Sequence, residues 1–87
     1  MKEILMFVQK DCPHCKRALK WQEVLTEKFH PEWARVPIRM VDELEQPEVA
    51  QAYDYYYVPT YFIDGVKVHE GPVTQQDVEK VFAQALS

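Results

Sequence analysis

The chain has 87 residues, 47% of them hydrophobic and 13% aromatic, enough for one domain (residues 1–87) with a compact core at the small end of the range. A net charge of -4 with no lysine or arginine cluster argues against nucleic acid and against an anionic membrane surface as partners. No stretch approaches transmembrane length, and the apolar run after Met1-Lys2-Glu3 is too short for a signal-peptide core, so a cytoplasmic monomer is expected.

Ile4 to Val8 is a continuous apolar run, which predicts a strand buried at the centre of a sheet. A helical pattern opens at Cys12 and lasts to about Phe29, with Cys15, Ala18, Leu19, Val24 or Leu25, and Phe29 on one face. Pro31 ends it. Arg35 to Val41 reads as a second strand, placed at an edge because Pro37 has no N–H to give a ladder. After the polar Asp42–Gln46 connection, Pro47 starts a short helix through Tyr53. Tyr61–Ile63 and Val66–Glu70 form a hairpin around Asp64-Gly65, which supplies the positive φ angles of a tight turn. Gly71-Pro72 breaks it. Thr74 caps a last helix, with Asp77 as its capping-box acid and Val78, Val81, Phe82, Ala85 and Leu86 as its apolar stripe. No repeat or linker divides the chain.

The stretch that carries chemistry is Gln9-Lys10-Asp11-Cys12-Pro13-His14-Cys15-Lys16, at the first strand-to-helix junction. Pro13 suits the first helical position, which places Cys12 at the N-cap. There the helix dipole and free backbone N–H groups favour an anion, and the thiolate is the nucleophile of thiol–disulfide exchange. Cys15, one turn further in, is less exposed and in reach of Cys12, as a resolving thiol must be. Two cysteines without a disulfide-rich setting point to redox or metal chemistry rather than a structural staple. The rival metal reading has Cys12, Cys15 and His14 as ligands from a single turn, one short of a closed zinc site unless a second chain contributes.

With a CxxC at the first junction, a Val58-Pro59-Thr60 before the third strand and the Asp-Gly hairpin after it, the chain resembles the thioredoxin superfamily, and in size its glutaredoxin-like branch. The resemblance implies an α/β thioredoxin-like fold, β-α-β-α-β-β-α, with a mixed four-stranded sheet in order 2-1-3-4 and three flanking helices. It places the first and last helices on one face and the short helix on the other. It implies a dithiol–disulfide oxidoreductase in which Cys12 attacks a protein disulfide and Cys15 resolves the mixed disulfide. Pro13 and His14 complete the catalytic turn, and His14 tunes the thiolate. A cis Val58–Pro59 bond would face the cysteines, and Lys10, Tyr57, Val58 and Pro59 would line the substrate groove. No bound cofactor is implied; glutathione enters as a co-substrate or reductant, with a thioredoxin-reductase-type flavoenzyme as the other electron source.

Several residues depart from the family pattern. Met6 and Asp11 stand where full thioredoxins carry a buried acid and a tryptophan. His14, Gln9, Tyr57 and Gly71-Pro72-Val73-Thr74 alter or shift each glutathione contact of glutaredoxins. Asp54 occupies a glycine place after the second helix, where a left-handed backbone would suit aspartate better than most residues. Pro13-His14 is the dipeptide of DsbA-type oxidants, in which an imidazole stabilising the thiolate makes the pair more oxidising. Two further readings stay open: a metal or [2Fe–2S] binding dimer, and a redox-inactive interaction module. Among the other aromatics, Trp21 and Trp33 read as packing residues, and alternate members of the Tyr53–Tyr57 run as packed on the sheet.

Overall fold

The computed structural model describes all 87 residues. The elements run β1 (Ile4–Val8), α1 (Pro13–Val24), β2 (Ile38–Asp42), α2 (Pro47–Ala50), β3 (Thr60–Ile63), β4 (Val66–Glu70) and α3 (Gln75–Leu86). The sheet order is β2-β1-β3-β4, with β1 parallel to β2 and antiparallel to β3, and β3 antiparallel to β4. The protein is thus an α/β domain with a mixed four-stranded sheet and three helices. No helix is long and apolar enough to cross a membrane.

All five residues of β1 are buried, because both faces of this central strand are covered. Alternation then splits them between two cores. Ile4, Met6 and Val8 meet Cys15, Ala18 and Leu25 below α1 and Val78, Val81, Phe82 and Ala85 of α3. Leu5 and Phe7 face the other way and join Val41 and Phe62, roofed by Val49, Ala50, Tyr53 and Tyr55. Tyr55 stacks on Phe7 at 4.8 Å between ring centroids, and Tyr53 meets Phe62 edge-on at 4.9 Å. The long and short helices therefore lie on opposite faces, as expected.

Four local readings are corrected. The second strand begins at Ile38 rather than Arg35, since Val36 and Pro37 lead into it and only the Pro37 carbonyl bonds to β1, accepting from Ile4 N–H. The short helix ends at Ala50, before the predicted Tyr53. The inner face of α1 is Cys15, Ala18, Gln22 and Leu25, whereas Leu19 is at the rim and Phe29 is 59% exposed. For Phe29 the cause is a π-helical turn over Leu25–Phe29 that continues α1. The Thr26 hydroxyl donates to the Gln22 carbonyl at 2.9 Å, a bond that competes with the backbone ladder at the start of that turn. The underwound turn carries Phe29 off the stripe. Leu86 likewise ends outside the α3 stripe.

After the π turn, a 3-10 segment (Pro31–Arg35) brings Trp33 between the His30 and Phe82 rings, stacked nearly parallel to both at 3.8 and 5.1 Å. The hairpin turn has φ 52° at Asp64 and 78° at Gly65, the two positive angles its type requires. Asp54 keeps a negative φ, and the left-handed aspartate lies elsewhere, at Asp11 with φ 65°. Thr74 and Asp77 form the predicted capping box at 3.2 and 2.9 Å.

One buried polar pair escapes the sequence. The Tyr61 hydroxyl donates to Gln22 Oε1 at 2.6 Å inside the main core. Tyr61→Phe should cost about 1–3 kcal/mol, because the Gln22 oxygen loses its partner in a dry site. Tyr61→Phe with Gln22→Leu should recover most of that loss. Urea denaturation of the three proteins measures both terms, and a double variant no better than the single one would show that the pair is not coupled.

Candidate active site

Between Val8 and Pro13 the chain leaves the sheet and turns back over it as α1. Asp11 accomplishes this with its left-handed backbone, a conformation that aspartate accepts more readily than most residues. Cys12 follows at the N-cap, extended at φ -81° and ψ 117°, and its Sγ accepts the Cys15 N–H at 3.3 Å. Pro13 is the first helical residue. The Cys12 sulfur thus does the work that a serine or aspartate oxygen does at other N-caps. It caps a free backbone donor at the positive end of a helix, and its residue is only partly buried.

Cys15 is in the opposite situation. It is 2% exposed and belongs to the main core. Burial, followed by the hydrogen bond to Cys12, pushes its thiol up to about 12 from an ordinary 9.0. Both cysteines are free thiols in this structure. The junction therefore presents one partly exposed sulfur at the helix N-terminus and one buried sulfur held as a thiol.

The remaining predicted residues divide. Pro59 is buried, the Val58–Pro59 bond is cis, and Val58 packs on both cores. Tyr57 is 70% exposed at the surface, with its backbone tied down. Lys10 has its side chain in solvent and its backbone N–H on Asp42 Oδ2 at 2.9 Å. The structure does not bring His14 into place: its ring is exposed, and the Cys12 sulfur is bonded to Cys15 N–H instead. No group of three or more His, Cys, Asp or Glu side chains is arranged to hold a metal ion, so His14 does not converge with the two cysteines.

Sequence reasoning missed two carboxylates. Glu43 accepts from Tyr55 Oη at 2.6 Å and from Gln9 Nε2, while its own N–H donates to Val8 O at 3.0 Å. Burial and this carboxylate push the Tyr55 hydroxyl well above the usual phenol range. Glu70 accepts from Tyr56 N–H at 2.5 Å, Tyr57 N–H at 2.9 Å and Lys67 Nζ at 2.6 Å. The only sequence signal for either was an acid near a tyrosine-rich loop, which does not specify a pairing. Beside Cys15, Gln9, Lys10, Lys16, Met40 and Asp42 line a cleft of about 380 Å³ between α1 and the β2 edge.

The Lys67 ammonium and the two backbone donors hold the Glu70 carboxyl down at about 2, against an ordinary 4.5. A carboxyl lowered on folding contributes stability that is fully present above its unfolded value and is lost as pH falls through the folded one. The stability difference between wild type and Glu70→Gln should hold constant at neutral pH, shrink below about 4.5 and vanish below about 2. At neutral pH the variant should also exchange its Tyr56 and Tyr57 amides faster. Equal amide protection in the two proteins would show that this clamp contributes nothing.

No protein-family model matches the chain, and no curated protein matches it. Ten chains of solved structures do match. One of them, described as the structure of a malarial protein, superposes with a TM-score of 0.72 over 100% of this chain and 99% of its own, at 16% sequence identity. Likeness at that identity speaks to the fold alone: this arrangement of strands and helices is similar to one already solved.

Proposed function

We propose that the protein is a thioredoxin-like dithiol–disulfide oxidoreductase of the glutaredoxin-sized type, acting on protein disulfides. The observation that carries the reading is the inequality of the two sulfurs. Cys12 caps the helix and is open to solvent, whereas Cys15, one turn inside, is buried and protonated. Disulfide exchange needs that asymmetry, since the first sulfur must be a thiolate in reach of substrate and the second must wait. Cys12 attacks a substrate disulfide, one substrate thiolate leaves, and a mixed disulfide joins Cys12 to the other half. Cys15 then displaces that half by bonding to Cys12 Sγ.

The strand order and the Val58-Pro59-Thr60 turn support the same reading. Val58 precedes the buried Pro59 and offers a backbone to an extended substrate segment, in the manner of strand addition. Glutathione, or a thioredoxin-reductase-type flavoenzyme, would return the electrons.

Cys15→Ser should accumulate a stable mixed disulfide at Cys12 when mixed with oxidised glutathione or insulin, and Cys12→Ser should form none. Intact mass after acid quenching reads both. Alkylation of the reduced wild type at neutral pH should label Cys12 at least about tenfold faster than Cys15, since only the thiolate reacts. A label that distributes evenly, or a Cys15→Ser protein that forms no adduct, removes the reading.

The exposed ring of His14 bears on the potential. One charge-assisted hydrogen bond worth about 1.4 kcal/mol to the reduced form corresponds to about 30 mV in a two-electron couple. Without such a bond, His14→Tyr should shift the midpoint by less than about 30 mV. Equilibration in glutathione buffers, with the dithiol fraction read by mass after alkylation, measures it. A larger fall would mean that His14 swings onto Cys12 in solution.

A further inference from the structure

Three segments of the chain meet at one end of the sheet. β1 and β2 run parallel and finish there, with Val8 beside Asp42, while the antiparallel β3 begins there, with Thr60 opposite Phe7. The turn with the two cysteines therefore leaves from the middle. The loop of Val58 and Pro59 enters on one side, and Glu43 follows β2 on the other. A protein disulfide that lies along Val58 and reacts at Cys12 touches the loop and the turn together. How those two are placed relative to each other is thus a property of the site, and one side chain joins them.

Glu43 leaves β2 with its N–H donating to the Val8 carbonyl at 3.0 Å, so its backbone is tied to the end of β1. Its carboxylate then divides its two oxygens. Oε2 accepts from Gln9 Nε2, and the Gln9 carbonyl takes the Cys12 N–H at 3.3 Å. Oε1 accepts from Tyr55 Oη at 2.6 Å, and the Tyr55 ring stacks on Phe7. The bridge therefore runs from the residue that opens the cysteine turn to a residue shortly before Val58. Hydrogen bonds to an ionised acceptor are roughly twice as strong as neutral ones, so the bridge constrains both of its ends. What a peptide can use and a small disulfide cannot lies on the tethered loop. The N–H and C=O of Val58 take part in no backbone hydrogen bond, and the exposed Tyr56 and Tyr57 rings precede it. Glu70 holds the same loop from β4 through the Tyr56 and Tyr57 amides, which leaves Glu43 as the tether on the cysteine side.

We propose that Glu43 is a positioning residue that sets the Val58 loop at working distance from Cys12 and so selects peptide disulfides over small ones; this rests on the dithiol reading above. A peptide lying along Val58 brings its cysteine sulfur to Cys12. The Cys12 thiolate bonds to that sulfur, the peptide's S–S bond breaks, and the other half leaves as a thiolate with the electron pair. Glu43 exchanges no proton in this step. A disulfide too small to reach Val58 reacts at Cys12 without help from the loop.

Two disulfides of one aromatic thiol, whose thiolate absorbs visible light, separate these cases: its symmetric disulfide, and its mixed disulfide with a short extended peptide carrying one cysteine. The first release of colour reads attack by Cys12 in both. The wild type should favour the peptide. Glu43→Leu should slow the peptide about tenfold to 10²-fold, as a misplaced reacting geometry does, and leave the symmetric disulfide within about twofold. Glu43→Gln should keep the peptide rate within about threefold, because an amide accepts from Tyr55 while donating to a turned Gln9 amide. Tyr55→Phe keeps the ring on Phe7 and cuts only the loop's end of the bridge. It should reproduce the Glu43→Leu selectivity, and it decides the matter should Glu43→Leu fail to fold. The pH midpoint of Cys12 alkylation should be the same in all four proteins. A midpoint that moves with the rate, or a Glu43→Gln protein as slow as Glu43→Leu, would place the effect on charge and overturn the proposal. Variants with the wild-type preference, or with equal losses on both disulfides, overturn it too and leave the dithiol reading standing. A wild type that releases no thiolate from either disulfide overturns the dithiol reading itself.

Discussion

The structure depends on how a strand buried on both faces ends. β1 has no exposed residue and sits between β2 and β3, so the chain cannot continue past Val8 without leaving both cores. It has to climb off the sheet and turn back as α1 within four residues. Such a turn leaves the first N–H groups of the helix unpaired, at the point where the helix dipole is positive. The sulfur of Cys12 fills that need, and the helical repeat then carries Cys15 into the core one turn later. The difference in exposure between the two thiols follows from this backbone geometry.

The other wall of the site is built from a loop that has little structure of its own. Residues 51–59 form no helix or strand, and the loop contains four tyrosines. Two of its rings are fixed by the second core, Tyr53 and Tyr55 on Phe7 and Phe62. Its polar groups are fixed by two acids on opposite sides: Glu43 takes the Tyr55 hydroxyl, and Glu70 takes the Tyr56 and Tyr57 amides. Glu70 lies at the end of β4 and Glu43 just past the end of β2, the two outer strands of the sheet. The loop that delivers Val58 and Pro59 is therefore referenced to both edges. That arrangement holds Tyr56 and Tyr57 exposed on a fixed backbone, which is where an interacting surface gains most from preorganisation.

The elements that could be read from the chain are those whose signals are local. The apolar run of β1, the Asp-Gly turn, the Thr74–Asp77 box and Pro13 after Cys12 each state their own geometry within four or five residues. Strand order and the two-faced layering were legible through the resemblance that the CxxC and Val58-Pro59-Thr60 carried. What was not legible depends on partners distant in sequence. Gln22 reads as a surface residue until Tyr61, 39 positions away, is brought over it. Phe29 reads as core until a π turn moves it out, and Thr26 gives no sign of that without its neighbours. The pairing of Glu43 with Gln9 spans 34 positions. His14 misled in the other direction: its position beside the thiol was local, but which way an exposed ring points is set by solvent.

The placement of Glu43 also bears on why β1 can be wholly apolar. A carboxylate beneath the centre of the sheet would have to be stripped of water, at a cost of several kcal/mol for an unpaired ion, and that cost would fall on the strand that organises both cores. Met6 occupies such a site here and only adds packing. A carboxylate at the strand's end keeps part of its hydration and accepts hydrogen bonds from Gln9 Nε2 and Tyr55 Oη. The interior of β1 holds the fold, and its last carbonyl, accepting from Glu43 N–H, places the acid at the rim of the sheet. A substitution at Met6 should then be felt mainly as packing, while one at Glu43 should be felt in the loop that Tyr55 anchors, a separation that a buried acid within the strand would not allow.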